Sequence, residues 1–237
     1  MRDANIPYHI GFPLFSNLTQ LDLAGPWEVL TRVPNARCHL LAHDLTPVAS
    51  ANGGLAVVPN MTLADCPQLD VICVPGGPGH LAAMEDERLL AFLQKQAQGC
   101  RYVTSVCTGA LVLAAAGLLD GYRATTHWMS LERLGAFGAV PVADRVVMDR
   151  SRITGGGVTA GTDFGLRLLA EIAGEQIARE CALQIEYDPE PPYRGSPEAA
   201  GADAVNAMRA KAAGYFARMA AVDALALARI KASQAPP

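Results

Sequence analysis

Short strand-like runs alternate with longer helix-like runs over residues 1–187, which restricts the chain to an α/β sandwich with a mainly parallel sheet. Residues 8–15 read as a first strand and residues 37–43 as a second. Residues 69–75 hold no polar side chain after Asp70, as suits a strand covered on both faces. Residues 101–106 form the strand that leads to Cys107. Helices are expected over residues 26–33, 86–98, 160–173 and 175–185. Residues 46–50 and 55–58, parted by Asn52-Gly53-Gly54, read as a hairpin with its turn. Residues 146–149 and 152–154 suggest a second hairpin, and 124–126 a short extended piece.

Composition changes after Tyr187. Residues 188–201 hold four prolines and two glycines, so an extended, non-helical strap is expected there. Beyond it, Val205, Met208, Ala212, Tyr215, Met219, Val222 and Ala226 recur at three- and four-residue steps, as one narrow seam along a single helix. The chain thus divides into an α/β domain over 1–187 and a strap with a C-terminal helix over 188–237. The seam serves either its own domain or a second subunit, and the second is the favoured expectation.

A formal charge of −4, with Lys and Arg scattered, argues against a nucleic-acid or anionic-membrane surface. The six cysteines make no CxxC pair, and His9, His39, His43 and His80 show no ligand spacing, so no metal site is expected. Such cysteine usage suits a reducing compartment. The first residues lead directly into a strand-like segment, and the longest apolar stretch, 110–119, is too short to span a bilayer. A cytoplasmic location is the expectation.

Cys107 lies at a strand-to-helix junction, where free N–H groups and the positive end of the helix dipole favour a thiolate. Gly109 removes a side chain where the chain doubles back, as at a nucleophile elbow. The plain alternative is an inert core cysteine. Gly77-Pro78-Gly79-His80-Leu81-Ala82 nominally fits a dinucleotide loop, but no acid stands about 20 residues on, and Pro78 suits a phosphate cradle poorly. A local use is better: N–H groups of Gly77 and Thr108 converging on an atom bonded to Cys107. Asp22 is expected in the loop ahead of a helix capped by Gly25 and begun by Pro26. Poor solvation there raises its proton affinity, which makes it a proton donor. His127 is a further candidate base for Cys107.

The segment Ser105-Val106-Cys107-Thr108-Gly109 resembles the elbow of the DJ-1/PfpI superfamily. Pro75-Gly76-Gly77, Gly117-Leu118-Leu119-Asp120-Gly121, Ala124-Thr125-Thr126-His127-Trp128 and Thr154-Gly155-Gly156-Gly157 extend the resemblance nearly to Tyr187. Within it, Leu21-Asp22-Leu23-Ala24-Gly25-Pro26 and the segment from Leu183 to Pro192 look most like the isonitrile hydratase group. The resemblance implies a flavodoxin-like three-layer sandwich, a nucleophile at Cys107, an acidic partner at Asp22, donors at Gly77 and Thr108, a homodimer and no cofactor. Two departures from relatives matter. Asp22 replaces the glutamate of the DJ-1 branch, and Thr108 stands where the peptidase-like branch has His. A regulator branch shares the elbow but adds a DNA-binding domain, for which the residues after Tyr187 are too few.

The activity so implied is hydration of an isonitrile to an N-substituted formamide through a covalent thioimidate on Cys107. A small apolar substrate needs an apolar pocket, for which Phe12, Trp128 and Val158 are the candidate lining. Two rivals use the same cysteine: a glyoxalase- or deglycase-like reaction, in which His127 would matter, and a non-enzymatic redox or ligand sensor.

Overall fold

The computed structural model describes residues 7–51 and 53–234. The first half runs β1 (Tyr8–Pro13), α1 (Gln20–Leu30), β2 (Ala36–Ala42), β3 (Val48–Ala49), β4 (Ala56–Val57), β5 (Met61–Thr62) and β6 (Val71–Val74). Then come α2 (His80–Glu85), α3 (Glu87–Ala97), β7 (Tyr102–Val106), α4 (Gly109–Ala115), β8 (Arg123–Ala124), α5 (Arg133–Ala136) and β9 (Val140–Pro141). The rest is β10 (Val146–Asp149), β11 (Arg152–Gly155), α6 (Ala160–Ala173), α7 (Glu175–Gln184), α8 (Pro197–Ala200), α9 (Ala202–Lys211) and α10 (Ala213–Gln234).

The main sheet has the order β10-β11-β7-β6-β1-β2-β5, with every pairing parallel except β10 on β11. This is the expected α/β arrangement, flavodoxin-like and mainly parallel. Strand β6 is apolar throughout because both its faces are covered. Val71 and Cys73 join a core with Val29, Phe164 and Leu168 of α1 and α6, while Ile72 and Val74 join one with Leu93 and Leu111 of α3 and α4. Four carboxyl ends, those of β1, β6, β7 and β11, therefore lie side by side in mid-sheet, where open parallel sheets place their ligands.

Several expectations need correcting. Helix α1 begins six residues before Pro26, so Asp22 sits in its first turn rather than in a loop, and Thr19 rather than Gly25 is the N-cap. Pro26 lies inside the helix and forgoes one backbone hydrogen bond. Its ring packs on α6 where Gly161 leaves room, since a Cβ there would lie 2.9 Å from Pro26 Cδ. The glycine-rich segment after β6 turns at once into α2, a helix not expected from the sequence, and β5 adds an unexpected edge strand. The first hairpin is present as antiparallel β3 and β4, though Asn52 of its turn lies outside the described residues.

The strap is not wholly extended. Ser196 accepts the Ala199 N–H through Oγ at 3.2 Å, and Pro197 occupies the first turn of α8, where a missing N–H costs nothing. The last helix is two helices, divided at Ala212. The seam divides with it. Val205 is half-buried and Met208 exposed, whereas Met219, Val222 and Ala226 are buried in the core with residues of α2 and α4. For that half, packing on the chain's own domain replaces the favoured docking on a second subunit.

Candidate active site

Cys107 holds a φ of +55°, a left-handed backbone that a non-glycine residue keeps only when its surroundings enforce it. Here they do. Its N–H donates to the carbonyls of Gly155 at 3.0 Å and Gly156 at 2.9 Å, and its own carbonyl accepts the Thr126 hydroxyl at 2.7 Å. Gly109 permits the tight return as expected, since a Cβ there would overlap the carbonyl oxygen of Val74. The elbow thus presents its sulfur at the carboxyl end of β7.

Asp22 reaches the same spot from α1. It is completely buried; Oδ2 accepts the Gly76 N–H at 3.1 Å, and Oδ1 has no partner in hydrogen-bond geometry. The carboxyl group and the Cys107 thiol are nevertheless neighbours, each shifting the other's titration. Gly76 is needed for this approach, because a Cβ there would lie 2.5 Å from Thr108 N and 2.8 Å from Asp22 Oδ2.

Burial pushes the Asp22 carboxyl up to about 7, opposed by hydrogen bonds from the Cys107 thiol and the Gly76 N–H. The Cys107 thiol is pushed well above its ordinary value, by burial first and by the charge of Asp22 second, while the backbone and hydroxyl of Thr108 oppose the rise. Desolvation therefore outweighs the helix-terminus effect that was expected to yield a thiolate. Each of the two acids shifts the other's titration, and burial holds both toward their protonated forms.

The Thr108 backbone N–H is directed at the Cys107 sulfur itself, whereas the expectation was a donor to an atom bonded to that sulfur. Gly77 does not supply a free one, because its N–H donates to Thr108 Oγ1 at 2.9 Å, and that hydroxyl donates back to the Gly77 carbonyl at 3.1 Å. These bonds clamp the loop after β6 to the elbow.

A cavity of about 190 Å³ opens beside Cys107. Val158 lines it, as does His127. The His127 ring is held neutral by burial, and its Nδ1 accepts the Met129 N–H at 3.4 Å; among the described residues it makes no hydrogen bond to Cys107 or Asp22. Phe12 is not at the cavity: it is fully buried on β1 against Trp27, with ring centroids 5.2 Å apart. Trp128 is likewise absent from the lining and carries the Arg209 guanidinium 5.8 Å from its ring centre. The inward places are taken by Pro78, Met129, Ser130 and, from α10, Tyr215, Phe216 and Met219. Tyr215 and Met219 belonged to the apolar seam, but nothing in a periodic stripe tells which surface it covers.

Among the described residues, no three His, Cys, Asp or Glu side chains cluster as metal ligands, and no helix is long and apolar enough to cross a membrane.

The chain has relatives among known proteins. An isonitrile hydratase of Pseudomonas putida is 53% identical over 205 residues, which cover 86% of this chain and 90% of that protein. The HTH-type transcriptional regulator GbdR of Pseudomonas aeruginosa is 35% identical over 191 residues, 77% of this chain but 51% of the regulator. A crystal structure of a ThiJ/PfpI family protein from Pseudomonas syringae superposes with a TM-score of 0.88 at 42% identity, over 95% of each chain. The DJ-1/PfpI family matches residues 9–171, from β1 through most of α6. The chain belongs to the DJ-1/PfpI family.

Proposed function

We propose that this protein is an isonitrile hydratase, converting R–N≡C and water into R–NH–CHO without a cofactor. The observation that carries the reading is a buried acid–thiol pair, Asp22 and Cys107, opening on a largely apolar cavity. The 53% identity to an enzyme named for this reaction supports it.

With both groups protonated the pair is inert. Loss of one proton leaves the carboxylate beside the thiol, and transfer of the remaining proton from Cys107 Sγ to Asp22 then gives the reactive form, an anionic sulfur next to a protonated carboxyl. The thiolate attacks the terminal carbon of the isonitrile and forms the S–C bond. Asp22 delivers its proton to that carbon, giving the thioimidate R–N=CH–S–Cys107. The aspartate carboxylate then takes a proton from water as oxygen adds to the same carbon, passes it to nitrogen to give R–NH–CH(OH)–S–Cys107, and accepts the hydroxyl proton as this adduct collapses. Expulsion of the sulfur anion releases the formamide and restores the pair. The N–H of Thr108 steadies the sulfur anion in the first and last steps. His127 is assigned to the wall rather than to the chemistry, which counts against a glyoxalase-like role.

We further propose a cytoplasmic homodimer that uses no nucleic acid or membrane partner, with the strap and C-terminal helices of residues 188–237 forming a unit on the α/β domain. The largely exposed strap and the surface half of the seam support a contact between subunits. Loss of the infrared isonitrile stretch on adding purified protein, with stoichiometric formamide, tests the activity. Methylglyoxal turnover in its place would favour the glyoxalase rival, and Cys107 oxidation with no turnover the sensor.

A further inference from the structure

The part of the cavity wall farthest along the chain comes from α10, which lies beyond the family's matched residues 9–171. Phe216, half-buried, and Met219, 2% exposed, face the same cavity as Cys107. Tyr215 stands beside them, close enough for the charge of Cys107 to affect its hydroxyl.

A polar chain pins this helix to the loop beside the elbow. Asp223 of α10 accepts two hydrogen bonds from Arg133, from Nε at 2.7 Å and Nη2 at 2.5 Å, with both side chains largely shielded from solvent. Arg133 Nη1 lies 3.1 Å from Nε2 of His80, which is completely buried. A guanidinium only donates, so Nε2 must accept and the His80 proton sits on Nδ1. That proton goes to the Gly77 carbonyl at 2.9 Å, the same oxygen that takes the Thr108 hydroxyl. Burial holds the ring neutral, its pKa lowered to about 4, which keeps this arrangement intact through physiological pH. Helix α10 is thus tied, through Arg133 and His80, to the loop that clamps Thr108.

We infer that α10 selects the substrate by the bulk of its R group: Phe216 and Met219 are specificity-determining residues, and Asp223 and Arg133 are positioning residues that hold them. This rests on the hydratase reading and adds the part of the chain that sets substrate size. The cavity is only slightly larger than the roughly 150 Å³ that encloses a benzene ring, so removal of one large wall side chain changes what fits.

The test compares kcat/KM for ethyl, n-butyl, benzyl and naphthylmethyl isonitriles in the wild type, Phe216→Ala and Met219→Ala. The naphthylmethyl-to-ethyl ratio should rise on the order of tenfold or more in either variant, the scale of discrimination that one to a few carbons bring in an apolar pocket. Asp223→Asn should relax the same ratio and raise KM for ethyl isonitrile with kcat maintained, and Asp223→Glu should recover it. An unchanged ratio in folded Phe216→Ala overturns the inference; that side chain is only half-buried, so its variant is the one expected to fold. A second readout is independent of turnover: alkylation of Cys107 by iodoacetamide and by N-benzyl iodoacetamide, followed by peptide mass. If the wild type hydrates no isonitrile, the hydratase reading fails, yet Phe216→Ala should still speed the bulky reagent selectively. Equal acceleration of both reagents, or of neither, overturns the role of α10.

Discussion

Replacing Asp22 by Asn tests the central electrostatic claim without removing bulk. Asn keeps an oxygen for the Gly76 N–H but has no proton to lose. In the folded chain the Asp22 carboxyl titrates at about 7 against 3.8 for a freely solvated aspartate, because burial disfavours its charge. Between those values the folded protein keeps a proton that the unfolded chain has released, so stability falls as pH rises. A shift of that size, at about 1.4 kcal/mol per unit, makes the full loss about 4 kcal/mol once both states are ionised. Roughly 3 kcal/mol of it falls between about pH 5 and pH 8. The Cys107 thiol, pushed higher still, stays protonated through this window and does not mask the effect. Urea unfolding of wild type and Asp22→Asn at those two pH values, at equal ionic strength and protein concentration, gives the gap between them directly. Asp22→Asn should gain on the wild type by about 3 kcal/mol from the lower pH to the higher. A gap that stays constant within about 0.5 kcal/mol would refute the buried, proton-holding carboxyl and the mechanism built on it.

Other outcomes follow from the same geometry. Cys107→Ala and Cys107→Ser should lose turnover entirely, and trapping followed by mass spectrometry should find the thioimidate on the wild type only; substantial activity in Cys107→Ala rules out the covalent route. The rate should rise with pH through about 7, as the pair sheds its first proton, which a kcat/KM profile reads. Thr108→Val leaves the buried Gly77 N–H without its acceptor and should cost about 1–3 kcal/mol in denaturant unfolding. Gly76→Ala should cut activity far more than that stability loss explains, because its methyl group drives into Thr108 N and Asp22 Oδ2; wild-type kinetics in that variant would contradict the close approach.

Much of this protein could be read from local pattern. Strand β6 announces itself by an unbroken apolar run, and the elbow by Cys107 and Gly109 between a strand and a helix. Asp22 stands out as an acid among Leu21, Leu23 and Ala24, even though local pattern misplaces it in a loop rather than on α1. That error comes from a local rule: Pro26 favours a helix start, yet here it lies inside α1 with its ring against Gly161 of α6. Pro197 shows the reverse, a proline inside a supposed strap that begins a helical turn.

What the chain order alone settled was which residues carry reactive groups and where most strands and longer helices of the α/β domain fall, because those depend on neighbours within a few positions. Tertiary structure decided which groups meet. Phe12 and Val158 are both apolar, yet β1 turns Phe12 into the core while the loop before α6 brings Val158 to the cavity. Tyr215, Phe216 and Met219 lie more than a hundred residues from Cys107 and reach it because α10 folds back over α2 and α4. The proton balance of Asp22 and Cys107 is likewise a tertiary property, since it comes from water excluded by side chains distant in sequence.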